Sequence, residues 1–341
     1  MKKRLITLLL GAVMMFSIVG CSQTQSDSKS EASAGEQSTV TIKSLNGNKE
    51  EIDLEVPYDP QRIAVLDLAA LDILDNLGLG DRVVGAADNS IEYLSAYSGN
   101  EKITNLGTIK EADLEAVMEC EPDVIFIGGR LAASYDQLSE IAPVVYLSVD
   151  AKTGVVQSTT DNATTIASMF GLESEVEEKV SGFTARIEEL SKIAKGKTAL
   201  VGMTTSGSFN LLGNDGRCSI IGNEVGFENL TTELTEKGGE SGKGGNGEKG
   251  NTSTHGNEAS FETVVEKNPD YIFVMDRDSA IGAEGAKLAK EIMENELVKE
   301  TDAYKNGNIV YLENPTIWYT AEGGITALDT MLSDLENSLL K

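Results

Sequence analysis

One stretch of this chain occurs twice. Asp113–Arg130 (DLEAVMECEPDVIFIGGR) aligns without a gap to Ser260–Arg277 (SFETVVEKNPDYIFVMDR), 147 positions further on. Each copy reads as a helix, a Pro-Asp turn, a buried strand and then an arginine. The strand Val144-Val145-Tyr146-Leu147 is echoed in the same way by Ile309-Val310-Tyr311-Leu312. A long gapless match with the same element order in both copies points to two related α/β lobes.

Between the copies lies Ser174–Gly196, which the spacing predicts as one long helix. Val176, Val180, Phe183, Ile187, Leu190 and Ala194 keep a single apolar stripe. Ser174 with Glu177 forms a capping-box start, acidic residues fill the first turn, Lys192 and Lys195 the last, and Gly196 stops it. Such a helix would run about 30 Å, the width of a small domain. It reads as a strut between lobes, the alternative being a surface helix within one domain. On both sides short apolar runs alternate with helical patterns. Before it come Arg62–Asp67, Val83–Gly85, Val124–Gly128 and Val144–Leu147; after it come Thr198–Met203, Tyr271–Met275 and Ile309–Leu312. That pattern indicates parallel sheets with helices on both faces. Thr39–Val56 alternates weakly and suggests a hairpin turning at Asn46-Gly47.

The start of the chain is of a different kind. Lys2, Lys3 and Arg4 precede an apolar run ending in Ile18-Val19-Gly20-Cys21, a secretory signal with a lipobox-like end. Cys21 is the expected lipidation site, which would tether the protein to a membrane without spanning it. Ser22–Ser38 holds almost no large apolar residues and reads as a leash. The expected organisation is a signal at 1–20, a tether at 21–39, an N-terminal α/β lobe at 40–172, a linking helix at 173–196 and a C-terminal α/β lobe at 197–341. The last contains a low-complexity loop at 237–251. A formal charge of −27 speaks against nucleic acid and against binding an anionic bilayer by charge alone. An anion site would need gathered cations, so the few arginines matter.

Arg130 and Arg277 each follow a buried parallel strand, at the end that faces the ligand crevice in open α/β sheets. Arg217, in Leu212-Gly213-Asn214-Asp215-Gly216-Arg217, is a third candidate; for each the alternative is a solvated surface ion pair. Converging arginines favour an anion with planar oxygen donors. His255 is the chain's single histidine, so it could supply one ligand to a metal already mostly coordinated but not a multi-histidine site. Trp318-Tyr319 follows the last strand as a pocket wall or a core lid, and a tyrosine oxygen can bind ferric iron. Cys120 reads as a small buried hydrophobe, and a Cys120–Cys218 disulfide across the lobes is not expected. No set of nucleophile, base and orienting group is visible.

On these residues the chain resembles the siderophore-binding lipoproteins of bacterial ABC iron importers, especially those for catecholates of the enterobactin and petrobactin type. The similarity runs from about Val40 to the C-terminus. It is carried by Asp67–Asp72 with Leu77–Asp81, by Gly128-Gly129-Arg130, by Asn268–Arg277, by Thr254-His255-Gly256 and by Trp318-Tyr319. The resemblance implies two Rossmann-like lobes on a single long backbone helix, the helical-backbone periplasmic-binding-protein fold. It implies that Arg130, Arg217 and Arg277 meet a ferric catecholate, and that His255 and Tyr319 complete the iron shell when the siderophore supplies four oxygens. It further implies capture without catalysis, no resident cofactor, a monomer anchored outside the cytoplasm, and delivery to an ABC permease through acidic patches on both lobes. Two features depart from the family pattern: the 237–251 tract is long, and Ile317 stands where relatives can carry an aromatic. Other ligands (a hydroxamate siderophore, haem or cobalamin) are the alternatives, with a surface hydrolase using His255 as base as a reading of another class.

Overall fold

The computed structural model describes residues 38–231 and 257–340. Cys21 and its signal, the 237–251 loop and His255 lie outside the described residues. The described residues form one compact unit.

A hairpin comes first, β1 (Thr39–Leu45) against β2 (Glu51–Pro57), antiparallel with Val40 opposite Val56. Its turn begins at Asn46 as expected, with the Asn46 Oδ1 accepting from the backbone of Asn48 and Glu50. Then β3 (Ile63–Leu66), α1 (Leu68–Asn76), β4 (Val83–Ala86), β5 (Thr104–Asn105), α2 (Leu114–Glu119), β6 (Val124–Ile127), α3 (Tyr135–Ser139) and β7 (Val144–Tyr146) build the first sheet. All its strands are parallel, in the order β5-β4-β3-β6-β7. The strands are apolar throughout because both faces are covered. Ile63, Val65, Val124 and Phe126 enter one core, while their neighbours Ala64, Leu66, Ile125 and Ile127 enter another.

The second sheet is mixed. Its strands are β8 (Thr198–Thr205), β9 (Ser208–Leu211), β10 (Glu228–Asn229), β11 (Asn257–Glu258), β12 (Tyr271–Asp276) and β13 (Ile309–Tyr311). They run β11-β9-β8-β12-β13, with β10 beside β8. The β8-β12-β13 ribbon is parallel, and β9 and β11 add an antiparallel edge that the hydrophobic pattern did not show. Val201, Met203, Phe273 and Met275 join the same core as Val65 and Phe126, so the two sheets share a continuous apolar interior.

Three helices connect the sheets: α4 (Val155–Ser168), α5 (Glu173–Val180) and α6 (Phe183–Ala194). The helix expected over 174–196 is therefore two helices, broken at Ser181-Gly182. Glycine costs about 1 kcal/mol relative to alanine in a helix. The Ser181 hydroxyl donates to the Glu178 carbonyl, a local bond that competes with helix continuation. The Ser174 capping box is also absent: α5 starts one residue earlier, behind Leu172, with no side-chain cap. The apolar stripe survives the break. Val176, Phe183, Leu190 and Ala194 are buried in one core, with Val180 and Ile187 packed against it. Gly196 does end the segment, with φ +70°.

The remaining α-helices among the described residues are α7 (Ser219–Asn223), α8 (Phe261–Lys267), α9 (Arg277–Ala280), α10 (Ala289–Met293), α11 (Asp302–Lys305), α12 (Pro315–Thr320) and α13 (Ile325–Leu339). Two carboxylates lock distant helix ends together. Asp72 on α1 accepts from the Thr326 and Ala327 N–H groups at the start of α13, at 2.9 and 2.8 Å. Glu224, just past α7, accepts from Val155 and Val156 at the start of α4, at 2.8 and 3.0 Å. Each satisfies orphan donors and complements a helix dipole. Arg186 on α6 grips Glu336 on α13 through two bonds of 2.7 Å, fixing the second piece of the broken helix.

Candidate functional site

In the first sheet the strand order reverses between β3 and β6, the place where open α/β sheets leave a crevice at their carboxyl ends. β3 runs into Asp67, whose Oδ1 caps α1 by accepting from Ala70 at 2.9 Å. β6 runs into Gly128-Gly129-Arg130. A Cβ on residue 128 would stand 2.2 Å from the Asp67 Oδ2, so glycine here leaves the Asp67 carboxyl its place as the cap of α1. In the second sheet β12 ends at Asp276, which caps α9 through Ser279 and places Arg277 at the helix start. Arg217 sits on the glycine-rich loop ahead of α7. Tyr319 lies on α12 and is 3% exposed.

These four side chains converge. The guanidinium carbons of Arg217, Arg130 and Arg277 lie 4.5, 5.3 and 5.9 Å from the centre of the Tyr319 ring. Cations at such distances are attracted by the ring face. Arg130 Nη2 also donates to the Tyr319 backbone carbonyl at 2.6 Å, and Arg217 Nε reaches the same oxygen at 3.5 Å. Arg277 Nη1 donates to Asp278 Oδ1 at 3.1 Å. All four line one cavity of about 740 Å³, within the range of small-molecule sites. Its walls carry five cations, Lys49, Lys110, Arg130, Arg217 and Arg277, against three carboxylates, Asp67, Asp215 and Glu322. In a chain of charge −27 this is a local reversal of sign.

Protonation follows from that crowding. Burial alone would raise the Tyr319 pKa, but the Arg277 guanidinium and the charges of Arg217 and Arg130 outweigh it and hold the phenol below its ordinary value. Burial, then the like charge of Arg217, lowers the Arg130 pKa. Burial raises Asp67, and the Ala70 N–H and the Arg130 charge only partly oppose it. The site is thus a desolvated cluster of cations around a phenol that gives up its proton more readily than usual. Chemically it suits an anion with several oxygen atoms, with one hard oxygen ligand at hand.

The sequence-predicted arginines and Tyr319 come together, whereas Trp318 does not join them. Its side chain is fully buried and its Nε1 donates to Asp334 at 2.8 Å, so of the aromatic pair one residue faces the cavity and the other the core. Cys120 and Cys218 are buried and free. Among the described residues no cluster of three or more His, Cys, Asp or Glu could hold a metal ion. Lys49, Lys110 and Glu322 were not singled out from the sequence, and Asp67 only within Asp67–Asp72, not as a residue of the site. Asp67 had a signal, standing at a strand end before a helix; the lysines and Glu322 had none.

Comparison with known proteins places this geometry in context. A sequence profile of the periplasmic binding protein family matches residues 63–316. The petrobactin-binding protein YclQ of Bacillus subtilis is 32% identical, over 99% of this chain and 100% of its own. Its crystal structure superimposes with a TM-score of 0.76, covering 89% of this chain and 99% of the other. The catecholate-siderophore binding protein VctP of Vibrio cholerae matches with a TM-score of 0.74 at 29% identity, covering 88% and 100%. The ferric-anguibactin-binding protein FatB of Vibrio anguillarum is 25% identical over 81% of both chains.

Proposed function

The chain belongs to the periplasmic binding protein family, and on that premise we propose that it captures a ferric catecholate siderophore and hands it to an ABC permease for iron uptake. The observation that carries the reading is the convergence of Arg130, Arg217 and Arg277 on Tyr319 in one cavity. Three guanidinium groups offset the charge of the chelate and orient its oxygens. Hydrogen bonds to charged groups contribute about 1.5–3 kcal/mol each, enough to select an anionic chelate over a neutral one.

Iron arrives as cargo with most of its coordination filled. Tyr319, with its lowered pKa, supplies an oxygen at small cost in deprotonation, and His255 supplies a nitrogen when the siderophore leaves two positions open. The lobes at 40–172 and 197–341 supply one repeat-related arginine each. Cys21 carries the lipid anchor that holds the protein outside the cytoplasm, and acidic surface on both lobes docks on the permease. Capture leaves the ligand chemically unchanged.

Native mass spectrometry after incubation with a panel of ferric siderophores tests the reading. A one-to-one complex that retains iron is expected with bis- and tris-catecholates. Retention of a hydroxamate, haem or cobalamin alone, with no catecholate complex, would refute it.

A further inference from the structure

Glu322 lies in the short link between α12 and α13, three positions beyond Tyr319, and lines the same cavity as the arginines. The residue as a whole is half-buried, yet its Oε1 is shut off from solvent and has no hydrogen-bond partner. A buried polar atom left unpaired costs about 1–3 kcal/mol, and native proteins rarely tolerate it without a reason. Four groups bear on the charge of this carboxyl. Arg217 and the Cys218 N–H come from the loop and start of α7, Glu224 from its far end, and Arg130 from the turn after β6. The Cys218 thiol is raised by burial and does not share the proton near neutrality.

Resting on the reading of the cavity as an anion site, we propose that Glu322 is a specificity-determining group: it is a neutral acid in the complex, so capture of the anionic ligand takes up a proton. The reason is electrostatic. An ionised Glu322 would cancel part of the charge that Arg217 and Arg130 offer to the ligand. An arriving anion adds repulsion and engages those same arginines, and both effects favour the protonated carboxyl. The empty protein is already poised for this. Burial pushes Glu322 upward first; Arg217 pulls it down, Glu224 pushes it up, the Cys218 N–H and Arg130 pull it down, and the balance lifts it from 4.5 to about 7. Near neutral pH the carboxyl is then partly ionised without ligand and protonated with it. Ligand affinity should fall as pH rises above 7.

The test compares the wild-type protein with Glu322→Gln, which keeps the shape and fixes the neutral state. Isothermal titration calorimetry with a ferric bis-catecholate at pH 8, in buffers of different ionisation heat, counts the protons taken up. Wild type is expected to take up a large fraction of one proton more than the variant. Between pH 7 and 8.5 its dissociation constant should rise about tenfold relative to that of the variant. Contributions from Tyr319 and His255 are common to both proteins and drop out. Equal proton counts and parallel pH profiles would overturn the proposal. A ligand-free readout judges it separately. Carboxyl carbon-13 NMR, assigned by the signal lost in Glu322→Gln, should show a midpoint near 7, and an ordinary carboxylate midpoint would refute the proposal. Failure of the wild type to bind any catecholate would refute the functional reading instead, while the NMR midpoint still decides on Glu322.

Discussion

In the copy of the repeat that ends at Arg130, Glu121 turns left-handed, at φ 45°, before Pro122; in the copy that ends at Arg277, Asn268 does the same at φ 40° before Pro269. The aspartate of each Pro-Asp turn then reaches to the neighbouring strand. Asp123 Oδ2 accepts from Gln61 and Arg62 ahead of β3, and Asp270 Oδ2 accepts from Thr198 at the start of β8. The following strands pair in the same parallel sense, Ile63 with Val124 and Ala199 with Tyr271. Up to this point the two units are one design. They part at the arginine. Arg277 is followed by Asp278, buried, which pairs with it and also accepts from the Ser206 N–H at 2.6 Å. Arg130 is preceded by two glycines and has no carboxylate within salt-bridge distance among the described residues; its bond goes to the Tyr319 carbonyl. Arg277 is tied to the carboxylate beside it, whereas Arg130 has no ion pair among the described residues and feels Asp67 and Glu322 only through longer-range attraction. The repeat supplies the position, and local partners decide how much of each charge is left for a ligand.

The largest expected effect separates the two arginines on binding. Arg130→Ala should weaken a ferric catecholate about 100-fold, because a desolvated cation without a salt-bridge partner among the described residues is lost. Its thermal stability should change little, since Arg130 makes no salt bridge among the described residues and Asp67 keeps the Ala70 N–H as its partner. Arg277→Ala should weaken binding less, about tenfold, yet destabilise the fold by about 1–3 kcal/mol by leaving Asp278 without its cation. Fluorescence titration and urea denaturation measured on both variants check the crossover. Equal losses on both scales would erase the distinction. Arg277→Ala combined with Asp278→Asn sharpens it: stability should return while affinity does not.

The smallest effect concerns the shared turn. Glu121→Gly should raise stability by about 0.5 kcal/mol, because a left-handed backbone costs a residue with a side chain more than glycine. Asn268→Gly should instead lower it. The Asn268 side chain exchanges hydrogen bonds with Asp302, donating at 3.0 Å to the carboxylate and accepting at 2.8 Å from its N–H. Gains of equal size in both copies would mean that the turns are interchangeable after all.

Much of this was legible in the sequence because it is periodic or repeated. The Pro-Asp units, the parallel strands and the arginines at their ends are local patterns read twice. The break at Ser181-Gly182 was not legible, because the apolar stripe runs through it undisturbed and stripe, not continuity, is what the spacing reports. The strands β9 and β11 are only four and two residues long, with the two apolar residues of β9 separated by Asn210, so no apolar run marks them. Trp318 and Tyr319 are neighbours with opposite fates, decided by Asp334 behind one and three guanidinium groups in front of the other. Glu322 is one acid among 55 Asp and Glu residues, and only the fold singles it out.

The account rests on charge recognition by arginines drawn from both copies. The most direct measurement is the ratio of wild-type affinities for an anionic ferric tris-catecholate and a neutral ferric tris-hydroxamate of similar size. The catecholate should bind at least about 100-fold more tightly, a difference of about 2.7 kcal/mol. Equal affinities, or a preference for the neutral chelate, would contradict the account.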